Sequence, residues 1–171
     1  MKNKVVVITG GTSGYGEAMA RLFTEKGASV LVVARNEVRL SAVTQALGCD
    51  GVAMDVTEYD AWLRLRDHVM KTYGRIDVLI NNAGGGVAIK NVECQTKTEI
   101  DAAVSLNLNS VIYGCSIFAS VFRAQKNGTI INLSSVCARH CWPAWSVYAA
   151  AKAGVLNFTK GLYTELQSDR I

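Results

Sequence analysis

The chain has 171 residues, of which 50% are hydrophobic and 19% are charged. This length and composition predict one folded domain with a large buried core. The net charge of +4 comes from scattered residues and not from a basic run, which argues against a nucleic-acid-binding site.

Strand-like and helix-like segments alternate along the chain. The predicted strands are continuous runs rich in Val, Ile and Leu, and they are Lys4–Thr9, Ser29–Ala34, Gly51–Met54, Asp77–Ile80 and Thr129–Leu133. The predicted helices are Gly14–Lys26, Glu37–Leu47, Glu58–Tyr73, Thr98–Gln125 and Trp145–Gln167. Continuous apolar strands are typical of a parallel sheet that helices cover on both faces. The alternation therefore predicts an α/β fold with a doubly wound parallel sheet, in a single domain over residues 1–171.

A glycine-rich turn joins the first predicted strand to the first predicted helix. Glycine lets the backbone approach a phosphate closely, and the free N–H groups that begin a helix attract anions. The turn lacks the Gly-Lys-Ser/Thr ending of a P-loop. Either it serves packing alone, or it is the pyrophosphate-binding turn of a Rossmann fold. In the second case its cofactor-binding residues are Gly10, Thr12, Ser13, Gly14, Tyr15 and Gly16.

The second strand ends at Ala34, and Arg35 and Asn36 follow it. Ligands bind beyond the carboxyl ends of the strands in such a sheet, and a carboxylate at this position would bind the adenosine ribose of NAD. Arg35 instead offers paired N–H groups to a 2′-phosphate, which favours NADP over NAD. The alternative is a solvated Arg35 beside the second helix, with Glu37 close enough to complicate the preference. We predict that Arg35 and Asn36 bind the cofactor.

Two further strand ends carry candidate cofactor contacts. After the third strand, Asp55 is suited to hydrogen-bond an adenine amino group while Val56 packs beside the ring, although an aspartate also caps turns. After the fourth strand, Asn82, Ala83 and Gly84 let a nucleotide lie against the backbone. Asparagine and glycine are equally ordinary turn residues, so both interpretations stay open.

Tyr148 and Lys152 follow the end of the fifth strand and lie four residues apart, on one face of the last predicted helix. A tyrosine normally has a pKa near ~10, too high for a base at neutral pH. A nearby ammonium group stabilises the phenolate of a tyrosine and lowers its pKa. The pair is therefore a candidate proton-transfer unit, or a chance pair on a helix surface.

Together these motifs resemble the short-chain dehydrogenase/reductase family. The resemblance is carried by the glycine turn, by Asn81-Asn82-Ala83-Gly84, by Asn107 and Ser135, and by Tyr148-x-x-x-Lys152. Ser135 precedes Tyr148 by 13 residues and Asn107 precedes it by 41, which are the separations that the family pattern leads us to expect. The resemblance covers nearly the whole chain.

The resemblance implies four catalytic residues. It implies that Tyr148 is the general acid/base, and that Lys152 lowers the pKa of that tyrosine and binds the ribose hydroxyls of the nicotinamide nucleotide. Ser135 would donate a hydrogen bond to the substrate oxygen. Asn107 would bend the long helix and hold a water that links Lys152 to solvent. The predicted activity is hydride transfer between NADP(H) and a carbonyl compound or secondary alcohol.

The chain ends at Ile171. The family pattern continues with a sixth strand, a substrate loop and a seventh strand, so the resemblance implies a Rossmann fold truncated after the fifth βα unit. This leaves two alternatives to the enzyme. One is a dinucleotide-binding or interaction module without turnover, or a fragment inactive on its own; the other is an isomerase or dehydratase that uses the same cofactor site.

Several expectations concern metal, location and partners. Cys137, His140 and Cys141 lie close together but lack a fourth ligand and standard spacing, so we predict no metal. Five cysteines without a Cys-x-x-Cys pair, and a first strand too early for a signal peptide, favour the cytoplasm. The apolar stretch near Leu108 to Phe122 is too short and polar for a membrane span. The resemblance implies a homodimer or homotetramer that uses the helix from Thr98 and the last helix.

Overall fold

The computed structural model describes residues 1–171. Its strands are β1 Val5–Thr9, β2 Ser29–Ala34, β3 Asp50–Ala53, β4 Val78–Asn81 and β5 Thr129–Asn132. Its α-helices are α1 Gly14–Glu25, α2 Glu37–Leu47, α3 Tyr59–Tyr73, α4 Lys97–Val104, α5 Ser110–Gln125 and α6 Ser146–Leu166. Short 3₁₀ turns cover Val92–Cys94, Val136–Ala138 and Gln167–Asp169. The predicted elements are all present, with boundaries that shift by one or two residues.

The five strands form one parallel sheet in the order β3-β2-β1-β4-β5. Val7 of β1 aligns with Leu31 of β2 on one side and with Leu79 of β4 on the other. The chain therefore winds outward from β1 in one direction and then returns to wind outward in the other. This is the doubly wound arrangement that the sequence predicts, and it leaves a crevice above β1 and β4, where the winding direction reverses.

Helices cover the two faces of the sheet because residues along each strand alternate between them. On one face, Val6 and Ile8 of β1 pack with Ala20 of α1 and Leu40 of α2. On the other face, residues of the same strands pack with α3 and α5, in a core that includes Val7, Leu31, Leu79, Trp62, Leu65, Phe118 and Phe122. Helix α6 lies on this second face, beside α5, through Val155 and Cys115.

The edge strands differ from the expected pattern of strands buried on both faces. Strands β1 and β4 are buried at every position, as their continuous apolar sequences predict. In contrast, β3 has no fully buried residue, and β5 alternates between exposed and half-buried positions, with Ile131 40% exposed. The reason is that each of these strands has a neighbour on one side only.

The predicted helix Thr98–Gln125 is interrupted by a π-helical segment, Ser105–Asn109, between α4 and α5. The helical region Lys97–Gln125 spans 29 residues, so by length and composition alone it could cross a membrane. It is longer than the apolar stretch considered in the sequence. However, α5 also buries Phe118 and Phe122 completely against the sheet, and a core helix of a folded domain meets the same criterion.

Candidate cofactor and active site

A cleft of about 690 Å³ opens at the carboxyl ends of the strands. It brings together most of the residues predicted to form the site. The predicted residues that line it are Gly10, Thr12, Ser13, Gly14, Tyr15, Arg35, Asn36, Val56, Asn82, Ala83, Gly84, Ser135, Tyr148 and Lys152. The structure places the other three predicted residues, Gly16, Asp55 and Asn107, outside this lining.

The glycine turn has the shape of a cradle for an extended anionic group. Gly14 has φ +53°, and a Cβ atom built on it would have no neighbour within 4 Å, so its backbone borders open space. Ser13 precedes α1 without a side-chain capping bond, which leaves the first N–H groups of that helix free for a ligand. A Cβ on Gly16 would lie 2.2 Å from the Gly10 carbonyl oxygen, so Gly16 permits the tight turn itself. These features fit a dinucleotide pyrophosphate.

Thr9 and Asn82 fix the turn against the end of β4. The Thr9 hydroxyl oxygen accepts hydrogen bonds from the backbone N–H groups of Asn82 and Ala83, both at 3.0 Å. The Asn82 side-chain amide donates to the carbonyl oxygens of Thr9 at 2.9 Å and Gly10 at 3.1 Å. Thr9 is not among the predicted cofactor-binding residues, because a threonine at a strand end carries no signal of this contact by itself.

Arg35 lies at the far end of the cleft from Tyr148, beyond β2. Its Nη1 atom is 3.6 Å from a carboxylate oxygen of Asp55, and the Arg35 side chain is 66% exposed. Partial burial opposes ionisation of Asp55, but hydrogen bonds from the Thr57 N–H and hydroxyl and the charge of Arg35 lower its pKa overall. Asn36 caps α2 by accepting from the Arg39 N–H, and Arg39 also lines the cleft. Arg39 is not among the predicted site residues, and the only sequence signal for it is its position four residues after Arg35.

The residues that directly follow β5 are hydrogen-bonded to α6. Lys152 is almost completely buried, with only 3% of its surface exposed. Its Nζ atom donates a hydrogen bond to the Leu133 carbonyl oxygen at 2.8 Å. The Ser134 hydroxyl donates to the Lys152 carbonyl oxygen at 2.7 Å. The neighbouring Ser135 hydroxyl oxygen accepts from the Cys137 N–H at 3.1 Å. Of the two serines, Ser134 holds the helix and Ser135 leaves its hydroxyl proton free for another acceptor.

Tyr148 and Lys152 lie on one face of α6, as their spacing predicts. The Lys152 Nζ atom is 5.9 Å from the centroid of the Tyr148 ring. Burial lowers the pKa of Lys152, because an ammonium group loses hydration inside the protein. A positive charge that is only partly hydrated therefore lies beside the phenol group, at the inner end of the cleft.

Asn107 lies behind this pair and is completely buried in the π-helical segment. Its side chain donates to the carbonyl oxygens of Ala103 and Gly85 and accepts from the Gly85 N–H, at 2.9 to 3.0 Å. A Cβ atom on Gly84 would lie 2.9 Å from Asn107 Oδ1 and 3.1 Å from Lys152 Nζ. The Gly84 backbone thus lies next to both Asn107 and Lys152, with no room for a side chain.

The cysteine and histidine residues form no metal-binding cluster. No group of three or more His, Cys, Asp or Glu side chains is arranged to hold a metal ion. All five cysteines are free thiols, and Cys115 is fully buried, where burial raises its pKa to about 12. The cleft itself is lined by a phenol, an ammonium group and hydroxyl groups, beside the glycine turn.

Comparisons with known proteins match nearly the whole chain. The family model described as short chain dehydrogenase matches residues 4–171. An uncharacterized oxidoreductase of Staphylococcus saprophyticus is 39% identical over 168 residues, which are 96% of this chain and 68% of that protein. Tropinone reductase-like 2 of Erythroxylum coca is 34% identical over 97% of this chain and 62% of its own length.

A solved structure shows the same fold. The crystal structure of a metagenomic short-chain oxidoreductase in complex with NADP has a TM-score of 0.94 and 31% identity, over 98% of this chain and 78% of that one. The chain thus spans about two thirds of the length of the curated relatives it matches. With the family model matched over nearly all of its residues, the chain belongs to the short-chain dehydrogenase/reductase family.

Proposed function

We propose that this protein is an NADP(H)-dependent oxidoreductase that interconverts a carbonyl compound and a secondary alcohol. The observation that carries the proposal is the convergence of Tyr148, Lys152 and Ser135 at the inner end of a cleft that begins at the glycine turn. These residues come from α6 and the segment after β5, whereas the glycine turn follows β1. Family membership supports oxidoreductase chemistry in general.

Each residue has a distinct role in this proposal. Hydride addition to a carbonyl builds negative charge on its oxygen, so a proton donor and a hydrogen-bond donor must meet there. Tyr148 gives its proton to this oxygen in reduction and accepts it in oxidation. Ser135 donates its free hydroxyl proton to the same oxygen. Lys152 supplies positive charge beside Tyr148 and hydrogen-bond donors to ribose hydroxyls, while Asn107 shapes the wall behind Gly84.

The cofactor would lie along the cleft with its pyrophosphate at the glycine turn. When bound, it supplies the hydride, and the protein supplies position and polarity. Arg35, with Arg39 beside it, gives the cleft a positive end that suits a 2′-phosphate, and this favours NADP over NAD. Asp55 orients Arg35 through their 3.6 Å contact, and Val56 borders the adenine position. One relative of known structure binds NADP.

The remaining proposals concern the molecule as a whole. We propose that residues 1–171 form one dinucleotide-binding domain, because a single sheet and the helices on its two faces account for the whole chain. We propose a cytoplasmic location, which suits five free thiols. We also propose a homodimer or homotetramer through α5 and α6, where side chains such as Tyr163 are 62% exposed. Sedimentation velocity measures this last point directly.

Tyr148→Phe tests the proposed function. We expect it to abolish NADPH oxidation with a panel of ketones while NADPH still binds, because only the phenol proton is removed. Tyr163→Phe is the matched control, since Tyr163 is an exposed tyrosine near the end of the same helix. NADPH binding is measured by nucleotide fluorescence and turnover by absorbance. Unchanged turnover in Tyr148→Phe contradicts the assignment, and binding without any turnover in the unmodified chain favours a dinucleotide-binding module.

A further inference from the structure

Two free thiols lie four residues apart in the segment that joins β5 to α6. Cys137 is half-buried in the short turn Val136–Ala138, and Cys141 follows that turn and is exposed. Neither sulfur forms a hydrogen bond, whereas the sulfur of the buried Cys115 is held by two asparagine side chains. The two thiols are therefore free to react, and the proposed function gives neither of them a role.

One hydrogen-bonded turn brings the backbones of the two cysteines close together. The Val136 carbonyl oxygen accepts from the N–H groups of Arg139 and His140, both at 3.0 Å. A bond from the fourth following residue closes one α-helical turn, which has a rise of about 5.4 Å. Cys137 and Cys141 are each one residue farther along the chain, so they stand about one turn apart. A disulfide needs Cα atoms within about 7 Å of each other, and a single turn meets this requirement.

The surroundings of the turn leave Cys141 open to a reagent in solution. His140, Cys141 and Trp142 are all exposed, the last of them at 46%. Strand β5 ends at Asn132 and helix α6 begins at Ser146, so neither element includes the two cysteines. A disulfide between them therefore involves backbone that lies outside the sheet and outside α6.

The turn also carries a positive charge that no acidic residue of the segment neutralises. Arg139 lies between the two cysteines, is exposed and takes part in none of the ion pairs of the structure. No aspartate or glutamate occurs in the sequence between Asp101 and Glu165. An unpaired arginine on the surface attracts anions from solution, so the turn favours an anionic reagent over a cationic one.

We propose that Cys137 and Cys141 form a dithiol site that reacts with an anionic low-molecular-weight disulfide and closes an intramolecular disulfide. Cys141 reacts first because it is exposed: its thiolate attacks one sulfur of the external disulfide, the external S–S bond breaks, and one external thiolate leaves. The Cys137 thiolate then attacks the Cys141 sulfur and expels the second external thiolate. Each protein thiol gives up one proton and each leaving thiolate takes up one. Two protein thiols are thus oxidised, and one external disulfide is reduced to two thiols.

Closure of this disulfide affects Ser135, and this effect is the part of the inference that rests on the proposed function. The Cys137 N–H donates to the Ser135 hydroxyl oxygen at 3.1 Å. A disulfide that draws Cys137 toward Cys141 shifts this donor, and with it the hydroxyl that is proposed to bind the substrate oxygen. We expect the oxidised protein to lose about tenfold in kcat/KM, because small displacements of catalytic groups are costly.

Trypsin digestion tests the disulfide directly, because trypsin cleaves after Arg139, between the two cysteines. The peptides 127–139 and 140–152 then contain one cysteine each, and only a disulfide holds them together. The reduced protein is incubated with oxidised glutathione, its remaining thiols are alkylated, and the digest is analysed by mass spectrometry without reductant. We expect the two peptides to be joined, and to separate after treatment with dithiothreitol.

Three serine variants test the order of the two steps. Cys137→Ser should hold a stable glutathione adduct on Cys141, because the second thiol is missing. Cys141→Ser should gain an adduct on the half-buried Cys137 about tenfold more slowly. Cys94→Ser is the matched control, since Cys94 is exposed but lies outside this segment, and it should form the joined peptides like the unmodified chain. Glutathione adducts on both cysteines without joined peptides would mean that the thiols do not meet, which overturns the site.

The charge of the reagent is tested by comparing oxidised glutathione, which is anionic, with cystamine, which is cationic. Raising the salt concentration to about 1 M shortens the Debye length to about 3 Å and screens Arg139. We expect this to slow the reaction of oxidised glutathione about threefold and not to slow the reaction of cystamine. A reaction of oxidised glutathione that salt leaves unchanged overturns the anionic class of the reagent.

Turnover measurements separate this inference from the proposed function. kcat/KM for the ketone panel is measured before and after oxidation, with Cys141→Ser treated in the same way as the control that does not close. Joined peptides with unchanged turnover support the dithiol site and overturn its effect on Ser135. Joined peptides in a chain that shows no turnover even when reduced support the dithiol site while contradicting the oxidoreductase assignment. Turnover without joined peptides overturns the dithiol site alone.

Discussion

The Arg35 guanidinium lies beside the carboxylate of Asp55, and in our proposal it also binds the 2′-phosphate of the cofactor. Its contact with Asp55 is 3.6 Å long and both side chains are partly exposed, so this ion pair is weak and easily rearranged. A dianionic phosphate offers stronger, paired hydrogen bonds to a guanidinium than this carboxylate does. At the scale of a single residue, we therefore propose that cofactor preference depends on Arg35.

Arg35→Ala is expected to weaken NADPH binding by about 10- to 100-fold while NADH binding stays nearly unchanged, because a charge-assisted hydrogen bond contributes about 1.5–3 kcal/mol. Fluorescence titration with both nucleotides measures the two dissociation constants. Arg21→Ala is the control, since Arg21 pairs with Glu17 on α1 and does not line the cleft. An equal loss for both nucleotides would mean that Arg35 does not select the 2′-phosphate.

At the scale of an element, two features hold α6 in place: hydrogen bonds from residues at the end of β5, and the turn that leads into the helix. Three consecutive residues at the end of β5 bond to this helix, through Asn132 to Thr159, Leu133 to Lys152 and Ser134 to Lys152. Farther along the chain, the turn with Ala144 in a left-handed conformation leads into its first residue. The helix that carries Tyr148 and Lys152 is thus fixed to the sheet at the level of the cleft.

Ala144→Gly is expected to raise the free energy of unfolding by up to about 1 kcal/mol, because glycine relieves the strain at φ +70° and loses only part of this gain to greater freedom of the unfolded chain. Urea denaturation followed by tryptophan fluorescence measures the change. Ala150→Gly is the matched control in the exposed part of α6, where the same substitution should cost about 1 kcal/mol. If Ala144→Gly and Ala150→Gly both lower the free energy of unfolding by a similar amount, Ala144 is not strained.

At the scale of the whole molecule, Asp77 ties the sheet together at the edge opposite the cleft. Its side chain is only 3% exposed and accepts from the Val5 N–H, the Lys4 ammonium and the Arg75 guanidinium. Its backbone joins β1 to β4 and β4 to β5 through bonds with Val5 and Thr129. Burial opposes ionisation, but the Val5 N–H and the two cations lower the pKa of Asp77 overall.

Because folding lowers the pKa of Asp77, ionised Asp77 stabilises the fold above the unfolded pKa of about 4, and this contribution is lost as pH falls through the folded pKa. Asp77→Asn should lower the free energy of unfolding by about 1–3 kcal/mol at pH 7, and by less below about pH 4. Urea denaturation at both pH values tests this. Asp67→Asn, which removes a 68% exposed carboxylate paired with Arg66, should cost under about 1 kcal/mol. A deficit that does not shrink in acid would contradict the prediction.

Local sequence was sufficient to predict most of the fold and most of the residues that line the cleft. The spacing of Tyr148 and Lys152 places them on one helix face regardless of the rest of the molecule. The turn between β1 and α1 depends on backbone conformations that glycine adopts readily, as Gly10 and Gly14 do at φ +66° and +53°. Buried strands such as β1 are recognisable because both of their faces must be apolar.

The sequence by itself therefore determined the order of strands and helices, the parallel sheet and the glycine turn, because these follow from interactions between residues close together in the chain. Only the tertiary structure decided that β3 and β5 are half exposed, that Asn107 lies in a π-helical segment bonded to Gly85, and that Thr9 fixes the loop after β4. It also decided that Trp145 reaches the loop containing Gly86. Each of these depends on which segments, distant in sequence, become neighbours when the sheet assembles, and no local pattern encodes that choice.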